Sequence, residues 1–252
     1  AKGNADQIAQ VSMERGKLLM QHGRAEEAEK LFGEVGASGA PALKLSAQLW
    51  AAKCDLKAGR AEVAAKQLQR LAESTDDSEL LPEILFDRAV ALSQSGDDAG
   101  ASAVWKDWQT QFGNHALAVQ ASASQAACLY RLGRYAESLS LCKAILQRQQ
   151  DYPRLSEVLL LMGEDQFFLE QYADANETYG QFIERFGNDP ARSRIEIRRG
   201  LCLEKLGRRE EAERALTKTI EGAGSEVEKS LRVSAYSSLG DMSAAKQDWA
   251  GA

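Results

Sequence analysis

The sequence predicts an all-α protein built as an α-solenoid of stacked antiparallel helix pairs. Three observations carry this. The chain repeats itself with a period of about 37 residues, each repeat holds two stretches of helical periodicity, and only four prolines interrupt 252 residues rich in Ala, Leu, Glu, Lys, Arg and Gln. These are good helix formers. Repeats of this length are the signature of architectures in which each unit buries its apolar face against the next.

The repeat is anchored by a turn residue followed five positions later by a small residue. The anchors are Gly23, Gly59, Gly96, Gly133, Glu170, Gly207 and Gln247, at intervals of 36, 37, 37, 37, 37 and 40. The small residues after them are Ala28, Ala64, Ala101, Ser138, Ala175, Ala212 and Ala252. Seven positions before each anchor stands a second small residue: Gly16, Ala52, Ala89, Ala126, Gly163, Gly200 and Gly240. A residue this small lets the two helices of a unit approach closely.

Within a unit one side of the first helix recurs at spacings of three and four, as in Ser122, Gln125, Ala126 and Leu129. It closes at the turn glycine, a residue able to adopt the left-handed conformation that ends helices. The second helix carries its own apolar face, as in Leu139, Cys142, Ile145 and Leu146. Trp105 and Trp108 fall at positions held elsewhere by Phe32, Leu68, Leu71, Ile145, Tyr179 and Phe182, and read as core. Gly33, Gly36 and Gly39 read as the loop linking the first repeat to the second. They follow no strand, so they are not a phosphate cradle.

At the end of the chain Gly222 and Gly224 break a helix, and Ser225 to Glu228 has the form of a capping box. A further first helix then carries Val227, Leu231, Ala235, Leu239 and Met242, and its partner is expected to begin near Trp249. Residues 1–252 thus read as a single repeat domain of about seven units and fourteen helices, the last incomplete. Such an end would leave Tyr236, Leu239 and Gly240 uncovered, so the native protein is expected to continue into at least one more helix.

Composition excludes several functions. A net charge of −6 argues against a nucleic-acid binder, which carries a basic face. No run of 18 apolar residues offers a membrane span, so no direct membrane insertion is expected. Cys54, Cys128 and Cys202 recur at intervals of 74. Helices stack about 8–10 Å apart, so two repeats place these sulfurs beyond the ~7 Å Cα limit of a disulfide. They read as small buried core residues with free thiols, although Cys142, on the partner helix of Cys128, could approach it. His22 and His115 form no paired motif, and no Cys-x-x-Cys exists, so neither metal nor cofactor is implied. The carboxylates lie on solvated faces near Lys and Arg, with no general acid–base pair, so the chain does not read as an enzyme.

The pattern of a small residue, a large apolar residue three later, a Gly turn and Ala five after it resembles the tetratricopeptide repeat. One copy reads Leu159, Met162, Gly163, Gln166, Tyr172, Ala175 and Tyr179; another reads Leu203, Gly207, Ala212 and Leu216. The resemblance covers residues 9–252 and departs from the family in its longer period and in lacking the Trp of the first helix. Loops at Phe112-Gly113-Asn114 and at Phe186 to Pro190 make it similar to the long tetratricopeptide repeats of bacterial envelope proteins. A periplasmic or cell-envelope location is thereby slightly favoured over the cytoplasm.

The resemblance implies a right-handed superhelix whose concave face is formed by the first helix of each unit and binds a protein or peptide. By position that face includes Met13, Lys17 and Gln21, then Leu49, Lys53 and Lys57, then Phe86, Val90 and Gln94. Tyr130, Arg131, Glu157, Leu160, Glu164, Phe167 and Phe168 follow, with Arg194, Ile197, Leu201 and Lys205 last. Phe86, Tyr130, Phe167 and Phe168 are the expected anchors, since aromatics dominate binding energy; the alternative is that longer helices tilt and bury these rings. The Lys–Asn pairs of the carboxylate clamp found in some members are missing. The implied function is an interaction scaffold, with a regulatory or sensor module of a larger or envelope protein as the alternative.

Overall fold

The computed structural model describes residues 2–37, 41–222 and 229–250. Among the described residues there are thirteen α-helices and no strand. They are α1 (Lys2–Gln21), α2 (Ala25–Ala37), α3 (Pro41–Lys57), α4 (Ala61–Ser74), α5 (Leu81–Gln94), α6 (Asp98–Phe112) and α7 (Ala118–Arg131), then α8 (Tyr135–Arg148), α9 (Leu155–Phe168), α10 (Tyr172–Arg185), α11 (Arg192–Lys205), α12 (Arg209–Gly222) and α13 (Lys229–Ala250). The chain divides into two compact units, Ala1–Leu132 and Gly133–Ala252. In the first, each helix packs on its chain neighbours, and α1, α3, α5 and α7 touch in succession. In the second, α8 to α12 pack in succession and α13 lies on both α11 and α12. This is the α-solenoid arrangement of helix pairs.

The turns explain the anchor glycines. Gly23, Gly59, Gly96, Gly133 and Gly207 all have φ between 73° and 89°. At the first, the Gly23 amide donates to Met20 O and the Arg24 amide to Leu19 O, the paired bonds of a Schellman motif. Arg24 O then accepts from Ala28 N, so one residue closes α1 and opens α2. The fifth turn makes the same bonds around Glu170, which is held at φ 59° without a glycine's freedom.

Where the small residue of a complete pair is glycine, it meets a large residue sixteen positions later on the second helix. A Cβ added to Gly16 would lie 2.6 Å from the Phe32 ring, and one added to Gly200 would lie 2.6 Å from Leu216 Cδ2. Phe32, Leu68, Trp105, Cys142, Tyr179 and Leu216 occupy this position in the six complete repeats, and all six are buried. Gly240, the seventh small residue, has nothing within 4 Å of its added Cβ.

Trp105 and Trp108 are core, as the sequence predicts. Both are fully buried, and the Trp108 indole N–H donates to Pro82 O at 2.7 Å. All four cysteines are free and buried, and burial pushes Cys54 and Cys202 up to about 12.

Two expectations are corrected. Gly33 and Gly36 lie inside α2 rather than in a loop, because that helix runs on to Ala37; Gly39 lies outside the described residues. The turn expected at Gln247 is absent, and α13 continues through it to Ala250. The described residues therefore hold six helix pairs and one long final helix, thirteen helices rather than fourteen. Gly224 and the capping box of Ser225 to Glu228 lie outside the described residues.

One buried group is out of place chemically. Asp165 occupies the position held by Cys54, Cys128 and Cys202, is wholly buried, and neither carboxyl oxygen has a hydrogen-bond partner. Burial raises its pKa from 3.8 to about 7, with the Glu164 charge adding to the rise and Ser138 opposing it. Ser138 and Cys142 of α8 are its neighbours. Between pH 3.8 and about 7 the folded chain thus favours a proton there that the unfolded chain releases.

Three predictions follow from this packing. Ala is the better helix former by about 1 kcal/mol, but overpacking costs about 1–3 kcal/mol. Gly200→Ala should therefore lower the melting temperature, while Gly240→Ala should raise it; a gain at both would show that Leu216 yields freely. Glu170→Gly should stabilise by about 1 kcal/mol, by relieving a left-handed non-glycine residue, and a loss in chemical denaturation would refute this. For Asp165 the folded pKa is raised, so its contribution is complete below pH 3.8 and is lost as pH climbs to about 7. Asp165→Asn should flatten that decline, by up to a few kcal/mol at pH 8; parallel stability curves for the two proteins would show that the acid is solvated.

Candidate functional site

Helix geometry decides which side chains of a first helix remain open. Successive residues turn by about 100°. With the small residue at zero, the residue three before it lies at about 60°, beside the partner helix. The residue two before lies at about 160°, facing away. Residues six before, one after and five after lie at about 120°, 100° and 140°. The open face thus runs through these four positions.

Burial follows the geometry at the position three before, whereas Glu164 and Leu201, one after the small residue, are covered by neighbouring helices. Met13, Leu49, Phe86 and Ile197 stand three before the small residue, and all are buried. Phe86, at 6% exposure, packs edge-on against Trp105 with centroids 4.7 Å apart and against Trp108 at 6.1 Å. It is a core residue, which corrects its assignment as a groove anchor. Ile197 and Leu201 join Leu216, Ala235 and Met242 in a core cluster, and Phe167 packs partly against it.

In the first unit Trp50, two residues before Ala52, is half-buried at the edge of the open face and stacks on Phe32 with centroids 5.8 Å apart. Lys53 Nζ lies 5.2 Å from the Trp50 ring centroid and Lys17 Nζ 5.8 Å from it, cation–π distances for both. Lys17 also pairs with Glu14 at 2.7 Å. Lys53 reaches across to α5, 2.7 Å from Glu83 and 2.9 Å from Asp87. Burial works against the Lys53 charge, but these two carboxylates outweigh it and its pKa ends above its ordinary value. Burial likewise lifts the Asp87 carboxyl, against the pull of Lys53. Further along, Arg131 donates to both oxygens of Asp98, at 2.7 and 2.5 Å, and to Ser93 Oγ at 2.7 Å. Its guanidinium holds the Asp98 carboxyl below the usual carboxylate range. Lys57 is exposed at the end of α3, and Tyr130 is half-buried.

In the second unit the centre is Glu164, which is wholly buried. Arg198 meets both of its oxygens at 2.9 Å, and the Tyr179 hydroxyl donates to Oε1 at 3.3 Å. Arg194 stands 3.8 Å from the same oxygen with its side chain 38% exposed. Arg198 lies 4.8 Å from the Phe167 centroid and 5.5 Å from that of Phe168. Phe168 is exposed and stacks on Tyr135, with rings 4.8 Å apart and 11° from parallel. Phe167 meets Tyr172 edge-on at 5.5 Å. Glu164 therefore acts as an internal counterion that fixes the arginines rather than as a surface contact.

Of the residues the sequence reading proposed, Lys57, Arg131 and Phe168 are exposed, and Lys17, Lys53 and Arg194 are half-buried. It missed Trp50, Asp87 and Arg198, each two residues before the small residue. The signal was present in the 100° step, which separates that position from its neighbour three before.

The described residues contain no group of three or more His, Cys, Asp and Glu placed to hold a metal ion, and no helix long and apolar enough to cross a membrane. The chain is similar to solved structures along most of its length. A tetratricopeptide repeat protein from Parabacteroides merdae is 13% identical, with a TM-score of 0.67 over 96% of this chain and 88% of that one. PilW, a widely conserved type IV pilus biogenesis factor, is 14% identical with a TM-score of 0.67, over 87% of this chain and 96% of that one. YrrB, a tetratricopeptide repeat protein with an unusual peptide-binding site, is 15% identical with a TM-score of 0.56, over 70% and 86%. No curated protein sequence matches the chain. The tetratricopeptide repeat model matches residues 13–79 and 160–227, together just over half of the 252 residues. With its turns, its close-packed helix pairs and this match, the chain belongs to the tetratricopeptide repeat family.

Proposed function

We propose that the chain is a protein-interaction scaffold that takes up a peptide segment of a partner on the open faces of its first helices. The observation that carries this is the pairing of part-open aromatic rings with fixed cations. Trp50 lies between Lys17 and Lys53, and Phe167 and Phe168 lie against Arg198. Rings held in place by charged neighbours lose little freedom on binding, so they suit the role of anchors. The cations, each tied to a carboxylate, present directed donors to backbone carbonyls or acidic side chains of an extended segment. YrrB, with its peptide-binding site, supports such a use of this fold. The aromatic-Gly loops and the likeness to PilW support a place in the cell envelope.

The test is capture of partners from the native extract by the chain and its variants, read by mass spectrometry. Phe168→Ala should weaken capture by on the order of 2 kcal/mol, as for a binding hot spot, with little change in melting temperature, because Phe168 is 43% exposed. Phe167→Ala should lower stability as well, since that ring is partly core. If capture survives both Phe168→Ala and Trp50→Ala, partners bind elsewhere and the open faces are not the site.

A further inference from the structure

On the far side of α11 from Arg194 and Arg198, a shallow cavity of about 440 Å³ opens between α10 and α12. Its α11 residues, Glu196, Arg199 and Leu203, are centred roughly 160° around the helix from Arg194, Arg198 and Lys205. The cavity is thus separate from the proposed peptide face. Its apolar floor is formed by Ile183, Leu203 and Ala215.

The rim carries three cations, Arg199, Arg214 and Lys218, and two carboxylates, Glu196 and Glu211. Both carboxylates are already held by arginines outside the lining. Arg192 Nε lies 2.9 Å from Glu196, and Arg208 donates to both oxygens of Glu211 at 2.8 and 2.7 Å. Arg208 holds the Glu211 carboxyl below its usual range, and the charges of Arg214 and Arg199 act on it in the same direction. The cations are positioned but not neutralised. Arg199 spends one donor on Asn176 Oδ1 at 3.1 Å, and Arg214 spends Nε on Glu210 O at 3.1 Å. Lys218 has no ion-pair partner among the described residues. Arg214 and Lys218 are one turn apart on the same face, where like charges repel unless an anion lies between them. The lining itself holds three cations and two carboxylates, and both carboxylates are met by arginines outside it.

We propose that this cavity docks an acidic segment of a partner protein. An apolar side chain of the segment rests on Ile183, Leu203 and Ala215, and its flanking carboxylates pair with Arg199, Arg214 and Lys218. Charge complementarity selects the acidic partner, and the apolar floor selects a segment that interleaves an aliphatic residue with its acids.

The proposal is tested by fluorescence anisotropy on the full chain. The probe is a short fluorescein-labelled peptide in which leucines alternate with pairs of glutamates, beside the same peptide with glutamine for glutamate. The glutamate peptide should bind, and rising salt should weaken it, because the contacts lie at the surface. Arg214→Glu with Lys218→Glu should weaken it by about tenfold or more. Both positions are exposed, so circular dichroism and the melting temperature should confirm that this variant folds. Lys66→Glu, exposed on α4 in the first unit, should leave the affinity unchanged. Equal binding of the glutamine peptide, or an equal loss with Lys66→Glu, would overturn the proposal. So would free glutarate saturating the cavity at the peptide's concentration, which would mark a small-dicarboxylate site. Self-association in sedimentation that the double reversal abolishes would make a second copy of the chain the occupant instead.

Discussion

Everything in this protein hangs on one steric constraint: the close approach of two helices at a residue with almost no side chain. Where Gly16 or Gly200 stands, the opposing Phe32 or Leu216 fills the space a Cβ would take. Repeated every 37 residues or so, this contact sets the distance within each pair and the direction from which the second helix leaves the turn. The turn must then reverse the chain in a single step, which requires the positive φ seen at the anchor glycines and borne by Glu170 in the fifth repeat. Interiors are packed nearly as densely as crystals, so a contact this tight leaves little latitude to the residues around it.

The same constraint divides the first helix into a buried and an open side. Once one direction is committed to the partner helix, the 100° step places the residues two before, one after and five after the small residue on the open side. Trp50, Lys53 and Lys57 of α3 are such a set, and Arg198 and Lys205 supply two of its positions on α11. On α9 the set includes Glu164, which is buried by Arg198 of α11 and the Tyr179 hydroxyl from α10. A buried carboxylate is tolerable only when its charge is met at close range, and two hydrogen-bonded arginine contacts at 2.9 Å meet it. Asp165, its neighbour in sequence, has no such partner, and its burial raises its pKa to about 7.

The surface charges differ in weight. The Gly-Arg-x-x-Glu phrase recurs as Arg24–Glu27, Arg134–Glu137 and Arg208–Glu211, each a bidentate pair at the start of a second helix. Exposed pairs of this kind contribute little, and their recurrence in the sequence reflects local helix chemistry more than tertiary need. Lys53 with Glu83 and Asp87, and Arg131 with Asp98, instead join different helices. These pairs tie one repeat to the next and hold the aromatic ring of Trp50 and the end of α7 in place.

The sequence by itself determined the repeat, the helix pairs, the turns and the identity of the buried tryptophans, because these depend on local propensity and on spacings of three, four and 37 residues. It also put Lys57, Arg131 and Phe168, each five after a small residue, at exposed positions, since helix geometry alone sets them. Only the tertiary structure decided that Phe86 belongs to the core, through its edge contacts with Trp105 and Trp108. It alone separated Phe167 from Phe168, adjacent rings of which one packs on the α11–α13 cluster and the other meets solvent. Burial of Glu164 and Asp165 was likewise beyond the sequence, because an acidic residue reads as solvated until a neighbouring helix closes over it. That α13 runs through Gln247 without a turn depends on how a long final helix lies against α11 and α12, a contact no local pattern specifies.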